Sequence, residues 1–159
     1  MKLDAENYEV YINKTLVKKI KADDNFRKYI EKLFKDYRSN GFVVLLECPA
    51  SWREYGYYVL VNKDIQECLF ISYRSRIGLN DINNSPIYAG DILKDKDGNT
   101  ISFVCDAVGE DDPKRYSYYI LSRKKNAPWY ANSTEIHFDS PDIIKEMGIE
   151  KVKSVFDML

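Results

Sequence analysis

The stretch Ile87-Tyr88-Ala89-Gly90-Asp91-Ile92-Leu93-Lys94-Asp95-Lys96-Asp97-Gly98-Asn99-Thr100-Ile101-Ser102-Phe103-Val104-Cys105 decides the fold class. Asp97-Gly98-Asn99 separates two runs, Ile92–Lys96 and Thr100–Cys105. Tight hairpin turns need central residues tolerant of positive φ, and Asp-Gly-Asn supplies them. Upstream, Asn83–Pro86 reads as a turn that feeds a strand at Ile87 and Tyr88. Gly90 permits a tight turn or bulge. Asp91 is placed to accept a hydrogen bond from a local backbone N–H as the chain re-enters a sheet at Ile92. This part of the chain is antiparallel β with short connections.

The same signal extends in both directions. Phe42–Cys48 and Tyr57–Asn62 read as strands joined by the loop Pro49–Gly56, and Glu67–Tyr73 as the next strand. Tyr116–Ser122 and Glu135–Phe138 complete the set, around an acidic loop Gly109–Pro113 and a loop Arg123–Asn132 rich in bases and aromatics. Toward the N-terminus, Tyr8, Val10 and Ile12 alternate with Glu9, Tyr11 and Asn13, the period of a strand. A basic stretch, Lys14 to Lys21, follows. Asp23-Asp24 can then cap a helix whose apolar positions Phe26, Tyr29, Ile30, Leu33, Phe34 and Tyr37 fall on one face, closed by Asn40-Gly41. At the other end Ser140-Pro141-Asp142 opens a C-terminal helix that Gly148 breaks or kinks before a last turn with Val152, Val155 and Phe156. The expected fold is α+β: an antiparallel sheet or small β-barrel core, one N-terminal amphipathic helix and one C-terminal helix. We read residues 1–159 as one domain, with a helix-containing part (1–56), a β core (57–139) and a C-terminal helix (140–159).

Composition narrows the function classes. The 159 residues carry 24 Lys+Arg against 25 Asp+Glu, a formal charge of −1, which gives no overall drive toward nucleic acid or anionic membranes. The start Met1-Lys2-Leu3-Asp4-Ala5-Glu6 lacks the apolar stretch of a signal peptide, and Phe42–Leu46 is far too short to cross a bilayer. Three cysteines, Cys48, Cys68 and Cys105, are scattered on strand-like segments and read as buried reduced thiols. These features point to the cytoplasm and to no membrane partner.

Residues 76–94 carry a pattern: Gly78-Leu79, Asp81, a turn, then Ile87-Tyr88-x-Gly90-Asp91-Ile92, a charged strand and the Asp97-Gly98-Asn99 hairpin. It resembles the signature of the YopX-like proteins encoded by bacteriophages and prophages, closely over 76–94 and loosely to about residue 122. The N-terminal helix and the C-terminal helix depart from that pattern. The resemblance implies a small β-barrel core, a phage origin and a bacterial host cell, and it implies no reaction. Gly78, Tyr88, Gly90 and Asp91 are read as structural.

Tests for chemistry are mostly negative. His137 is the one histidine, so zinc sites with two His ligands are excluded and any Ser-His-Asp or Cys-His site must use it. Strand alternation puts Glu135, His137 and Asp139 on one face and Ile136 and Phe138 on the other. That face could serve a metal-assisted hydrolase, or be simply solvated. Asp95-Lys96-Asp97-Gly98-Asn99, with Asp106 at the twelfth place, mimics a calcium loop but has Thr100 where Gly belongs and Asp where bidentate Glu belongs. No phosphate-cradling glycine motif occurs. We assign no catalytic residue, no metal and no cofactor.

Two surface features remain. Arg123, Lys124, Lys125, Trp129 and Tyr130 share one Pro-containing loop, and Arg, Trp and Tyr are enriched at binding hot spots. A second basic face is formed by Arg27, Lys28, Lys32, Lys35 and Arg38. Residues 14–38 hold nine basic and four acidic groups, a local excess of +5. Residues 106–112 and the C-terminal helix are acidic, a dipolar layout that favours oriented docking or self-association. The expected function is therefore a phage-encoded, non-enzymatic accessory protein that binds a bacterial host or defence protein, possible homo-oligomerisation included. Nucleic-acid binding through the same loop and helix is the alternative, and a small-ligand or nucleotide-binding barrel the second.

Overall fold

The computed structural model describes residues 8–21, 24–51, 55–106, 117–128, 130–138, 140–154 and 157. Its elements are, in order, β1 (Tyr8–Ile12), β2 (Thr15–Ile20), α1 (Asp24–Ser39), β3 (Val43–Ser51), β4 (Tyr55–Asn62), β5 (Glu67–Asn80), β6 (Pro86–Tyr88), β7 (Ile92–Lys94), β8 (Thr100–Asp106), β9 (Ser117–Arg123), β10 (Thr134–Ile136), α2 (Ile143–Met147) and β11 (Glu150–Lys153). The chain divides between Ser75 and Arg76 into two compact units, so β5 contributes its first part to one and its last residues to the other.

In the N-terminal unit the strands run β2-β1-β5-β4-β3, antiparallel throughout. The helix α1 forms where its period requires. Phe26 and Ile30 are buried, and Tyr29, Leu33, Phe34 and Tyr37 pack half-buried onto Tyr8, Val10, Tyr58, Leu60, Leu69, Ile71 and Tyr73. Each such side chain contributes about 1.5–3 kcal/mol when fully removed from water. Tyr8 stacks on Phe26 at 4.2 Å, which fixes the helix against the sheet centre. The helix ends as expected at Asn40-Gly41: the Gly41 N–H donates to Arg38 O and the Phe42 N–H to Tyr37 O, satisfying terminal carbonyls.

Several expectations are corrected here. The basic stretch after β1 is itself a strand, β2, joined to β1 through Asn13 (φ 48) and Lys14 (φ 66). A lysine at positive φ is not a sequence signal for a hairpin, so this turn was not legible. Strand β3 continues through Pro49 to Ser51, with register irregularities at Val44/Leu46 and Pro49/Ser51 that accommodate the proline on a sheet edge. Strand β5 runs past Tyr73 to Asn80. Cys68, expected to be buried, is exposed, because it lies near the start of β5 on the face away from α1. The side chains of Cys48 and Cys105 lie outside the described residues.

In the C-terminal unit the order is β10-β9-β8-β7-β11, and β6 pairs with the end of β5. Its core gathers Ile77, Leu79, Ile87, Ala89, Leu93, Ile101, Phe103, Ile120, Phe138, Ile144 and Ile149. The Asp97-Gly98-Asn99 hairpin joins β7 and β8 where the sequence placed it. Among the described residues both sheets are open, so the fold is α+β with two antiparallel sheets and no closed barrel. Where the C-terminal helix is expected to start, the structure has the short α2, and Val155 and Phe156 of the expected last turn lie outside the described residues. Ser140 accepts the Asp142 N–H on its hydroxyl, but Gly148 adopts the left-handed conformation (φ 63) and the helix stops there. Ile149 is then buried and residues 150–153 pair with β7 as a strand. The acidic loop Gly109–Pro113 lies outside the described residues. Among the described residues no helix is long and apolar enough to cross a membrane.

Candidate functional site

The signature segment is a structural clamp. Gly90 takes φ 87 and Gly78 φ 85, both left-handed, the first at the turn into β7 and the second where the β5–β6 register shifts. The buried Asp91 carboxylate accepts the Tyr88 N–H at 2.9 Å, and the Asp91 N–H donates back to Tyr88 O at 3.1 Å. Lys151, on β11, closes the arrangement. Its ammonium lies 3.2 Å from Asp91 Oδ2, donates to the Pro86 carbonyl and stands 5.3 Å from the centre of the Tyr88 ring. Asp81 does the same work one turn earlier. One carboxylate oxygen accepts the N–H groups of Asn83 and Ser85, both at 2.9 Å, and the other accepts the Lys151 N–H at 3.0 Å. Tyr88 and Asp91 thus bind their own chain. Lys151 was invisible in the sequence, since it is distant along the chain and part of a segment read as helical.

A second carboxylate organises the loop singled out for binding. Asp95, buried at the start of the β7–β8 turn, accepts the N–H groups of Asp97 at 2.9 Å and Asn99 at 2.8 Å, and the Asn99 side-chain amide at 2.8 Å. This is a hairpin cap, with one oxygen on two backbone N–H groups and the other on the Asn99 side chain. The Asn99 carbonyl oxygen in turn accepts the Lys125 N–H at 3.3 Å. Two further turns shape the loop, with Ala127 N–H on Lys124 O at 3.0 Å and Ala131 N–H on Pro128 O at 2.9 Å. Arg123 is half-buried at the end of β9, Lys124 and Lys125 are exposed, and Tyr130 is 72% exposed. Trp129, which would complete the set, lies outside the described residues. The fold therefore brings Lys124, Lys125 and Tyr130 together on one braced loop.

The polar strand face around His137 has the expected alternation: Ile136 and Phe138 turn to the core while Glu135 and His137 face outward. The His137 side chain is 73% exposed, 3.9 Å from Glu135. Asp139 lies outside the described residues. Among the described residues no group of three or more His, Cys, Asp or Glu side chains is arranged around a common point.

The basic face of α1 is as the helical period places it: Arg27, Lys28, Lys32, Lys35 and Arg38 are all exposed, opposite the buried stripe. Lys18 of β2 stands 5.9 Å over the Tyr29 ring, so this one cation of the strand adjoins the helix. One cluster was missed by sequence reasoning. On the sheet face away from α1, Tyr11 donates to Glu9 at 2.6 Å and accepts from Arg74 at 2.6 Å, with Glu9 and Arg74 3.2 Å apart. Burial, then the Glu9 hydrogen bond, holds the Tyr11 phenol well above its ordinary value. No family model, curated protein or solved structure matches the chain.

Proposed function

We propose that this chain is a phage-encoded, YopX-like accessory protein that acts without catalysis, by binding a bacterial cytosolic protein, either a host factor or a defence component. The observation that carries this reading is the braced loop Arg123–Tyr130. An exposed tyrosine beside two exposed lysines, on a loop already held by Asn99 and two turns, loses little conformational freedom on docking. Tyrosine and cation together suit a protein surface with an acidic rim. The Tyr88–Asp91 segment supports the same reading from the other side, because its polar groups are engaged within the fold.

The test is capture from a bacterial lysate by the immobilised chain, in parallel with a Lys125→Ala/Tyr130→Ala variant of unchanged circular dichroism. The reading expects a discrete protein retained by the wild type and lost by the variant. No retained protein, or equal retention, contradicts it. Nucleic-acid binding across α1 remains a second reading, favoured by the exposed cations of α1 and the adjoining Lys18. It requires an affinity that falls steeply with salt, since phosphate contacts release counterions.

A further inference from the structure

An antiparallel sheet with one solvated face normally shows polar residues there. At its β3–β4 end the N-terminal sheet does not, although Glu9, Tyr11, Ser72 and Arg74 lie further along the same face. On the face opposite α1, Val43 pairs with Val61 and Val61 with Cys68, while Leu46 pairs with Val59 and Val59 with Phe70. Tyr57 lies on the same face, its ring 5.4 Å from that of Phe70. Val59, Val61, Tyr57 and Phe70 are half-buried, but Val43 is 55%, Leu45 67% and Leu46 47% exposed. A contiguous apolar surface of this kind on a soluble protein marks an interaction site.

The charges around the face choose its occupant. Neither of the two rows holds an ionisable side chain other than the Cys68 thiol; the charges on this face, Arg74 paired with Glu9 and Lys19 opposite Glu9, lie in a row beyond them. Glu47 stands opposite Tyr58, on the α1 side. Such a face meets a copy of itself with no like-charge repulsion, and interfaces between identical chains are the more apolar class. Edge-to-edge pairing is blocked at both sides: β2 carries Lys18 and Lys19, and β3 is interrupted at Val44/Leu46 and again at Pro49. Sheet-on-sheet packing is what remains, and it leaves the cations of α1 in water. We infer that two copies of this chain form a two-fold dimer by packing the Val43–Leu46–Val59–Val61–Phe70 face of one N-terminal sheet on the same face of the other. This face belongs to the N-terminal unit and the loop Arg123–Tyr130 to the C-terminal unit.

The test is the mass of the full chain by light scattering across a concentration series. The wild type should show about twice the chain mass of 18.6 kDa. Leu46→Lys, which places a charge on an already exposed position, should return it to the single-chain mass with unchanged circular dichroism. Leu45→Lys, more exposed still, decides the matter if Leu46→Lys does not fold. A wild type at single-chain mass at every concentration overturns the inference, as does a dimer that persists in every folded lysine variant.

Discussion

Replacing Lys151 by methionine probes the clamp that makes the signature segment structural. The Asp91 carboxylate is fully buried and the Lys151 side chain is only 17% exposed, with 3.2 Å between them. Lys151→Met keeps the length and most of the apolar stem but takes the cation from that carboxylate and a donor from the Pro86 carbonyl. Removing one partner of a buried pair costs about 3–5 kcal/mol, because a charge stays behind in a poorly solvated place. With a urea dependence of roughly 1.5–2 kcal/mol per molar for a chain of this size, the unfolding midpoint should fall by about 2 M. Asp91→Asn in the same chain removes the stranded charge yet keeps an acceptor for the Tyr88 N–H. The double variant should therefore be more stable than Lys151→Met by about 1–2 kcal/mol, a coupling that only contacting residues produce. Urea unfolding followed by far-ultraviolet circular dichroism reads the wild type, the two single variants Lys151→Met and Asp91→Asn, and the double variant. A Lys151→Met midpoint within experimental error of the wild type, or strictly additive substitutions, would refute the clamp and return Tyr88 and Asp91 to consideration as functional groups.

Other outcomes follow from the same geometry. Gly90→Val forces a β-branched residue to φ 87 and should cost about 1–3 kcal/mol, measured by the same unfolding curve; a stability equal to wild type removes the backbone account of the turn. Asp95→Ala strands three N–H donors of the β7–β8 turn and should cost about 1–3 kcal/mol while weakening capture through Asn99 and Lys125; full-strength capture would show that the loop needs no brace. Burial holds the Tyr73 and Tyr58 phenols above their ordinary 10.0. The unfolded chain therefore loses protons that the folded chain retains, so stability is full below about pH 10 and declines as pH rises beyond it. Flat thermal unfolding temperatures across that range would contradict their burial. Cys68, exposed on β5 in the single chain, should react with a thiol reagent in the folded Leu46→Lys variant, and protection there until unfolding would place it under cover.

What the sequence disclosed was local. The α1 stripe from Phe26 to Tyr37 and the Asp97-Gly98-Asn99 hairpin are written in periods and turn chemistry that need no distant partner, and the acceptor role of Asp91 follows from one tight turn. The missing parts are set by long-range pairing or by unusual backbone. Lys14 at φ 66 concealed the β1–β2 hairpin. Gly148 converted an apparent helix into α2 followed by β11, and only that strand brings Lys151 to Asp91 and Asp81. The loop Arg123–Tyr130 was legible as composition, whereas its brace was not, because the Asn99–Lys125 hydrogen bond joins two separate turns. The apolar run Phe42–Leu46 read as part of a strand, with no sign of which side chains it buries. In the sheet Phe42 is buried, but Val43, Leu45 and Leu46 face outward from an edge strand, a distinction that neighbouring strands decide.

The central claim is that the loop Arg123–Tyr130 is where a partner protein docks. Hydrogen exchange of the full chain, with and without the purified protein that it captures, tests this most directly. The account predicts slowed exchange concentrated in residues 123–131 and in the supporting turn at Asp97–Asn99, with α1 unchanged. Protection confined to α1 or to the Tyr88–Asp91 segment, with residues 123–131 exchanging as before, would contradict it.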